Sequence, residues 1–199
     1  MKVNFPKFAN EYDGDKTREF IRQLEQAFIG VQSTDDVEAA TLNDIDVFLI
    51  GGQDNAKGHG SSAESPSVPA NRVLQYYGST LTDANDPVGT AATGSAWPSF
   101  GITYYNATGR SVALVPTAVD NSAQAAANDG GAGNWDVSGT LYNTSITTLN
   151  AAITALLARG YTPRFKGVLW SQGEQDGLAT STKTLYKAAL QAMIARYRA

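Results

Sequence analysis

Three short apolar runs stand out along the chain, each closed by a turn of small and amide residues. Asp46-Val47-Phe48-Leu49-Ile50 leads into Gly51-Gly52, Ser111-Val112-Ala113-Leu114-Val115 into Pro116, and Phe165-Lys166-Gly167-Val168-Leu169-Trp170 into Ser171. Continuous apolar runs of this length, without polar alternation, mark strands buried on both faces, as in a parallel sheet. Around the third run the period changes to that of a helix. Ile146, Leu149, Ala152, Ile153, Leu156 and Leu157 line one face of 145–157, and Leu185, Ala188, Ala189, Ala192 and Met193 line one face of 182–197. Strands alternating with helices predict an α/β fold, with strands 47–51, 112–116 and 167–171 side by side in one parallel sheet. Residues 120–140 are rich in Gly, Ala and Asn and read as a long surface loop.

Ahead of this region the pattern differs. Residues 1–15 are polar and broken by Pro6 and Gly14, and then Phe20, Ile21, Leu24, Phe28 and Val31 recur at helical spacing behind Asp15 as N-cap. A polar stretch, Gln32 to Asp36, follows. The chain therefore divides into an arm with an amphipathic helix over 1–42 and a globular domain over 43–199. The stripe either packs on that domain or docks against another chain, and the second reading predicts a homo-oligomer.

Composition narrows the function classes. The chain has 199 residues, 42% hydrophobic and 17% charged, enough for one domain with a real core. Fifteen Lys and Arg stand against nineteen Asp and Glu, and no basic run supplies the face that nucleic acid requires. Cysteine is absent, which excludes disulfides, thiolate metal sites and a cysteine nucleophile. The first residues lack a signal-peptide core, and no apolar run approaches the ~18 residues of a membrane span. A soluble protein with no membrane or nucleic-acid partner is expected.

In an open parallel sheet, ligands gather at the carboxyl ends of the strands. The turns there are Gly51-Gly52-Gln53-Asp54-Asn55, Thr117-Ala118-Val119-Asp120-Asn121-Ser122 and Ser171-Gln172-Gly173-Glu174-Gln175-Asp176. Such turns can converge backbone N–H groups and amides on one spot, the material of an oxyanion hole. Polar turns also close every α/β domain. Asp54, Asp120, Glu174 and Asp176 would suit a hard cation, but solvated or structural carboxylates are the simpler reading, and neither metal nor cofactor is expected. Trp97, Trp135, Tyr104 and Tyr105 offer rings for sugar stacking, or else core anchors.

These blocks carry a resemblance. "DVFLIGGQDNAKGHG" resembles the first block of the SGNH hydrolases, in the sialate O-acetylesterase-like branch of carbohydrate esterases, where Gly-Gln-Ser-Asn supplies the nucleophilic serine. "FKGVLWSQGEQDG" is similar to the branch's Trp-x-Gln-Gly-Glu-x-Asp block, and "GRSVALVPTAV" and "GTLYNTSITTLNAAI" match the segments between. The resemblance covers residues 46–199. It implies a flavodoxin-like three-layer α/β/α sandwich and acetyl esters of sugars as substrates. It places Asp54 at the nucleophile position, with Gln53, Asn55, Asp120, Asn121, Gln172, Gly173 and Glu174 around the oxyanion and substrate pocket, Glu174 in a bracing role.

Three departures bear on activity. Asp54 replaces the serine, Asp120-Asn121 stands where the family has Gly-Gly, and the chain ends before the family's final Asp/His block, so a C-terminally truncated fold is expected. The single histidine, His59, does not match the family's base and reads as an exposed loop residue. A carboxylate attacking an ester would give a mixed anhydride, and its charge opposes the charge that develops on the ester oxygen. Asp54→Ser alone is not expected to restore turnover, because no base remains. The expected function is an inactive domain that binds or once acted on acetylated glycans; the alternative is an active O-acetylesterase whose remaining triad residues lie beyond this chain.

"FANEYDGDKTREFIRQLEQAF" is similar to the openings of bacteriophage tail-fibre and tailspike proteins. That second resemblance implies a virion location, other virion proteins and a bacterial surface polysaccharide as partners, and a homotrimer.

Overall fold

The computed structural model describes residues 43–178 and 183–199. The arm and helix expected over 1–42, with the stripe from Phe20 to Val31, lie outside the described residues.

The elements are β1 (Asp44–Gly52), a single helical turn α1 (Asp54–Lys57), β2 (Val73–Tyr77), β3 (Thr80–Asp83), α2 (Trp97–Thr108), β4 (Ser111–Pro116), α3 (Leu141–Ala158), β5 (Thr162–Ser171), α4 (Glu174–Leu178) and α5 (Lys183–Arg198). They form one five-stranded sheet in the order β3-β2-β4-β1-β5. The three strands read from the sequence are the adjacent parallel strands β4, β1 and β5, with Leu49 facing Val115 on one side and Val168 on the other.

The five-stranded sheet as a whole is mixed, with the three strands read from the sequence parallel within it. β2 runs parallel to β4, but β3 returns antiparallel along β2. The cause is local: Gly78 and Ser79 both have positive φ, 57° and 64°. A two-residue turn of that hand reverses the chain at once and leaves no room for a crossover.

The sandwich follows from strand alternation. Ile45, Val47 and Leu49 of β1 point to one face and meet Leu149, Ala152 and Leu156 of α3, with Tyr197 of α5 packed on the same cluster. Phe48 and Ile50 point to the other face and meet Trp97, Phe100 and Tyr104 of α2. α3 stops where Gly160 takes φ +81°, which lets the Tyr161 N–H reach back to the Leu156 carbonyl. Asp46, fully buried on the α2 face, is held by both Arg110 (2.7 and 2.8 Å) and the Tyr104 hydroxyl (2.7 Å). Burial resists its ionisation, but these donors outweigh burial and hold its carboxyl below the usual range. β5 is an edge of the sheet, and none of its residues is fully buried.

Residues 120–140 form a loop, as expected, but only part of it lies on the surface. Ser122, Ala123, Gln124 and Trp135 are fully buried, because this segment folds under the carboxyl end of the sheet. No helix among the described residues is long and apolar enough to cross a membrane.

Candidate functional site

The three turns meet at the carboxyl end of β1. Gly52 adopts φ +119°, and a Cβ there would run into the Ser171 carbonyl, so only glycine lets β1 and β5 end this close together. The Gln53 N–H then bonds Ser171 O at 2.9 Å. Gln53 is buried, and its Oε1 accepts from Gln172 Nε2 and the Gln175 N–H, both at 3.1 Å. Position 54 thus stands at the head of α1 with the residue before it clamped.

Asp54 is only half-buried. Its Oδ1 accepts the backbone N–H of Asn121 at 2.8 Å, and its Oδ2 takes a longer contact from Gln53 Nε2 at 3.3 Å. Asn121 has φ +55°, the left-handed conformation that asparagine tolerates better than most residues. The backbone shape that a glycine would give is therefore available here without one. The N–H it presents is occupied by the Asp54 carboxylate.

Asp120 is bound by Lys57 Nζ and by His59 Nε2 (2.9 Å), both from the first turn. Partial burial raises its pKa, but the hydrogen bonds and charges of Lys57 and His59 outweigh that and hold the carboxyl below its usual range. His59 is exposed, as read from the sequence, but its imidazole pairs with Asp120 beside position 54. One ligand atom from each of Asp54, His59 and Asp120 lies within 4.8 Å of the others. The residue type could have flagged it, since it is the chain's single histidine and follows the nucleophile position by five residues. Only the fold shows that the second turn comes down beside it.

The third turn braces the first. Asn55 Nδ2 donates to Glu174 Oε1 at 2.8 Å. The Gln172 amide donates to Asp176 Oδ2 (2.6 Å), Gln53 Oε1 and Ser122 O (both 3.1 Å), so its N–H groups are directed inward. Gly173, at φ +143°, carries the chain past this point, and Tyr186 donates to the Gln172 carbonyl at 3.0 Å. Asp176 is buried and also accepts from Gln124 N (2.7 Å), Ala125 N (3.1 Å) and Asn128 Nδ2 (2.7 Å). Burial works against its charge, but these four donors prevail and keep the carboxyl below its usual range. Asp176 is thus the tie between the third turn and the buried segment after β4. The four carboxylates considered for a hard cation do not gather: Glu174 serves Asn55, and Asp176 is consumed by its donors.

The aromatic candidates are mostly structural. Trp135 is fully buried, its Nε1–H donates to Ser122 Oγ at 3.0 Å, and its ring stands edge-on to Trp170. Trp97 donates to the Ala56 carbonyl at 2.7 Å, and Tyr104 serves Asp46. Tyr105 packs beside the same cluster. The open surface lies elsewhere. A cleft of about 690 Å³ runs from Lys57 and Asp120 along the ends of β4 and β2 to α3, lined by Tyr76, Tyr77, Thr117, Thr144, Thr147 and Thr148 among others.

Comparison with known proteins agrees with this fold. No curated protein matches the chain in direct sequence comparison. Among solved structures, a protein from Arabidopsis thaliana determined at 1.6 Å is similar with a TM-score of 0.59 and 20% identity, covering 77% of this chain and 67% of that one. NanS is similar with a TM-score of 0.52 and 16% identity, over 78% of this chain and 64% of its own. The chain thus spans about two thirds of each. The family described as carbohydrate esterase, sialic acid-specific acetylesterase, matches residues 44–199. With the strand order, the clamped first turn and that match over most of its length, the chain belongs to the sialic acid-specific acetylesterase family of carbohydrate esterases.

Proposed function

We propose that this domain binds acetylated glycans and does not hydrolyse them. The observation that carries the reading is the bond from the Asn121 N–H to Asp54 Oδ1. Acyl transfer needs a neutral nucleophile activated by a base and a free donor aimed at the developing oxyanion. Here one carboxylate replaces the nucleophile and fills the donor with its own negative oxygen. Losing one such donor costs about 2.7–4 kcal/mol of transition-state stabilisation, and the wrong nucleophile adds to that. The cleft beside the site supports the binding half of the proposal. Its volume falls within the usual range for ligand pockets, and its threonine and tyrosine hydroxyls suit a polyhydroxylated ligand. The N-terminal likeness to tail-fibre openings supports a further part of the proposal, a place on a virion appendage facing a bacterial surface polysaccharide.

A second reading rests on the His59–Asp120 pair, which supplies an imidazole held by a carboxylate beside position 54. In that reading the domain is an active O-acetylesterase. The deciding experiment measures acetate release from an O-acetylated sialic acid and from an aryl acetate, alongside saturation-transfer NMR with the same sialic acid. Background release together with detectable binding is the expected result. Turnover that disappears in Asp54→Ala or His59→Ala would overturn catalytic silence, and absence of any binding would overturn the recognition role.

A further inference from the structure

We propose that Asp54, His59 and Asp120 form a mononuclear site for a divalent transition cation of the zinc and manganese class. The argument begins from donor chemistry. The chain has one histidine and no cysteine, so only one side chain in the whole sequence offers a nitrogen or sulfur ligand of the strong kind. That imidazole is where two carboxylates converge, with one ligand atom of each residue within 4.8 Å of the others. Zinc bound at about 2.0–2.2 Å to nitrogen and oxygen needs its ligand atoms roughly 3.3–3.6 Å apart. The 2.9 Å His59–Asp120 contact has to open slightly, and a pair at the 4.8 Å limit has to close by about 1.2–1.5 Å. His59 lies on an exposed stretch and can make that adjustment.

The surroundings match what a metal site requires beyond its ligands. Ligating carboxylates are held by outer hydrogen bonds that orient them. Asp54 is held by the Asn121 N–H, and Asp120 by Lys57 Nζ. Three protein ligands leave at least one coordination position open, and Asp120 lines the head of the cleft. A cation there presents that position to a hydroxyl or carboxylate of the bound sugar. The replacement that removes the hydroxyl nucleophile thus adds the third ligand. The proposal concerns the cation alone and does not depend on glycan binding.

The test is calorimetric titration of ZnCl2 into tag-free, EDTA-dialysed full-length protein, with MnCl2 followed in parallel by NMR. One equivalent of zinc is expected, and manganese should broaden the single imidazole resonance selectively. His59→Ala and Asp54→Asn are each expected to weaken zinc binding at least tenfold, while Asp129→Asn, outside the trio, leaves it unchanged. Far-UV circular dichroism confirms that each variant is folded. No zinc binding by the parent, or an affinity that neither His59→Ala nor Asp54→Asn alters, overturns the proposal.

Discussion

Replacing Asp176 with asparagine tests how the site is held together. The carboxylate receives four hydrogen bonds, two on each oxygen: Gln124 N and Gln172 Nε2 on Oδ2, Ala125 N and Asn128 Nδ2 on Oδ1. An amide keeps one acceptor oxygen and turns an NH2 toward the other pair of donors, so two bonds are lost whichever way it sits. Bonds to a charged acceptor are worth about 1.5–3 kcal/mol each, giving roughly 3–6 kcal/mol, and relief of the cost of burying a charge returns part of it. About 3 kcal/mol of net destabilisation is expected, a large fraction of the roughly 5–15 kcal/mol typical of a domain. For a chain of this size that lowers Tm by about 6–12 °C. Urea titration followed by tryptophan fluorescence reads the change directly, because Trp135 hydrogen-bonds Ala123 and Ser122 in the segment that Asp176 ties down. The pH dependence adds a second readout. A folded-state pKa below the unfolded value of about 3.9 contributes stability that is full above about pH 5 and is lost as pH falls through the folded value. The parent should lose stability in acid, and Asp176→Asn should lose less over the same range. A variant with the parent's urea midpoint, or an unchanged acid slope, would falsify the view that this carboxylate is charged and holds the turns.

Two further outcomes are expected. Arg110→Ala leaves the Asp46 carboxylate buried with Tyr104 as its remaining side-chain donor among the described residues, and should cost about 3–5 kcal/mol in urea unfolding without changing ligand binding at the opposite end of the sheet; a change below ~1 kcal/mol refutes the buried-pair account. Asp54→Ser frees the Asn121 N–H and tests the second reading, in which His59 paired with Asp120 is the base, against the expectation drawn from sequence that no base remains. Acetate release should rise above background and fall about 100-fold when His59→Ala is added, the low end of general-base assistance; no rise at all means that His59 does not reach the new hydroxyl.

Strands β1 and β4 were legible in the sequence because strands buried on both faces must be apolar throughout. β5 was legible by the apolar run that ends it, although it is an edge strand and nowhere fully buried, and α3 and α5 because their buried faces repeat at 3.6 residues. The turn blocks stood out because residues that must make close approaches or hydrogen bonds, such as Gly52 and Gln53, are chemically narrow choices. The hairpin of β2 and β3 was written as Gly78-Ser79 between Val73–Tyr77 and Thr80–Asp83, but strands that short and mixed carry little periodic signal. What only the tertiary structure decided was which polar residues meet. Asp176, weighed from sequence among four carboxylates for a cation, is a buried tie, and the burial of Ser122 to Ala125 and Trp135 within the loop 120–140 was not legible because small residues under a sheet edge are as unpatterned as residues in solvent. His59 became a partner of Asp120 because β4 lies beside β1, a contact across 61 positions that local patterning does not encode. Hydrophobic periodicity reports how each element faces the core; the pairing of side chains at the strand ends depends on strand order, and strand order is a property of the assembled sheet.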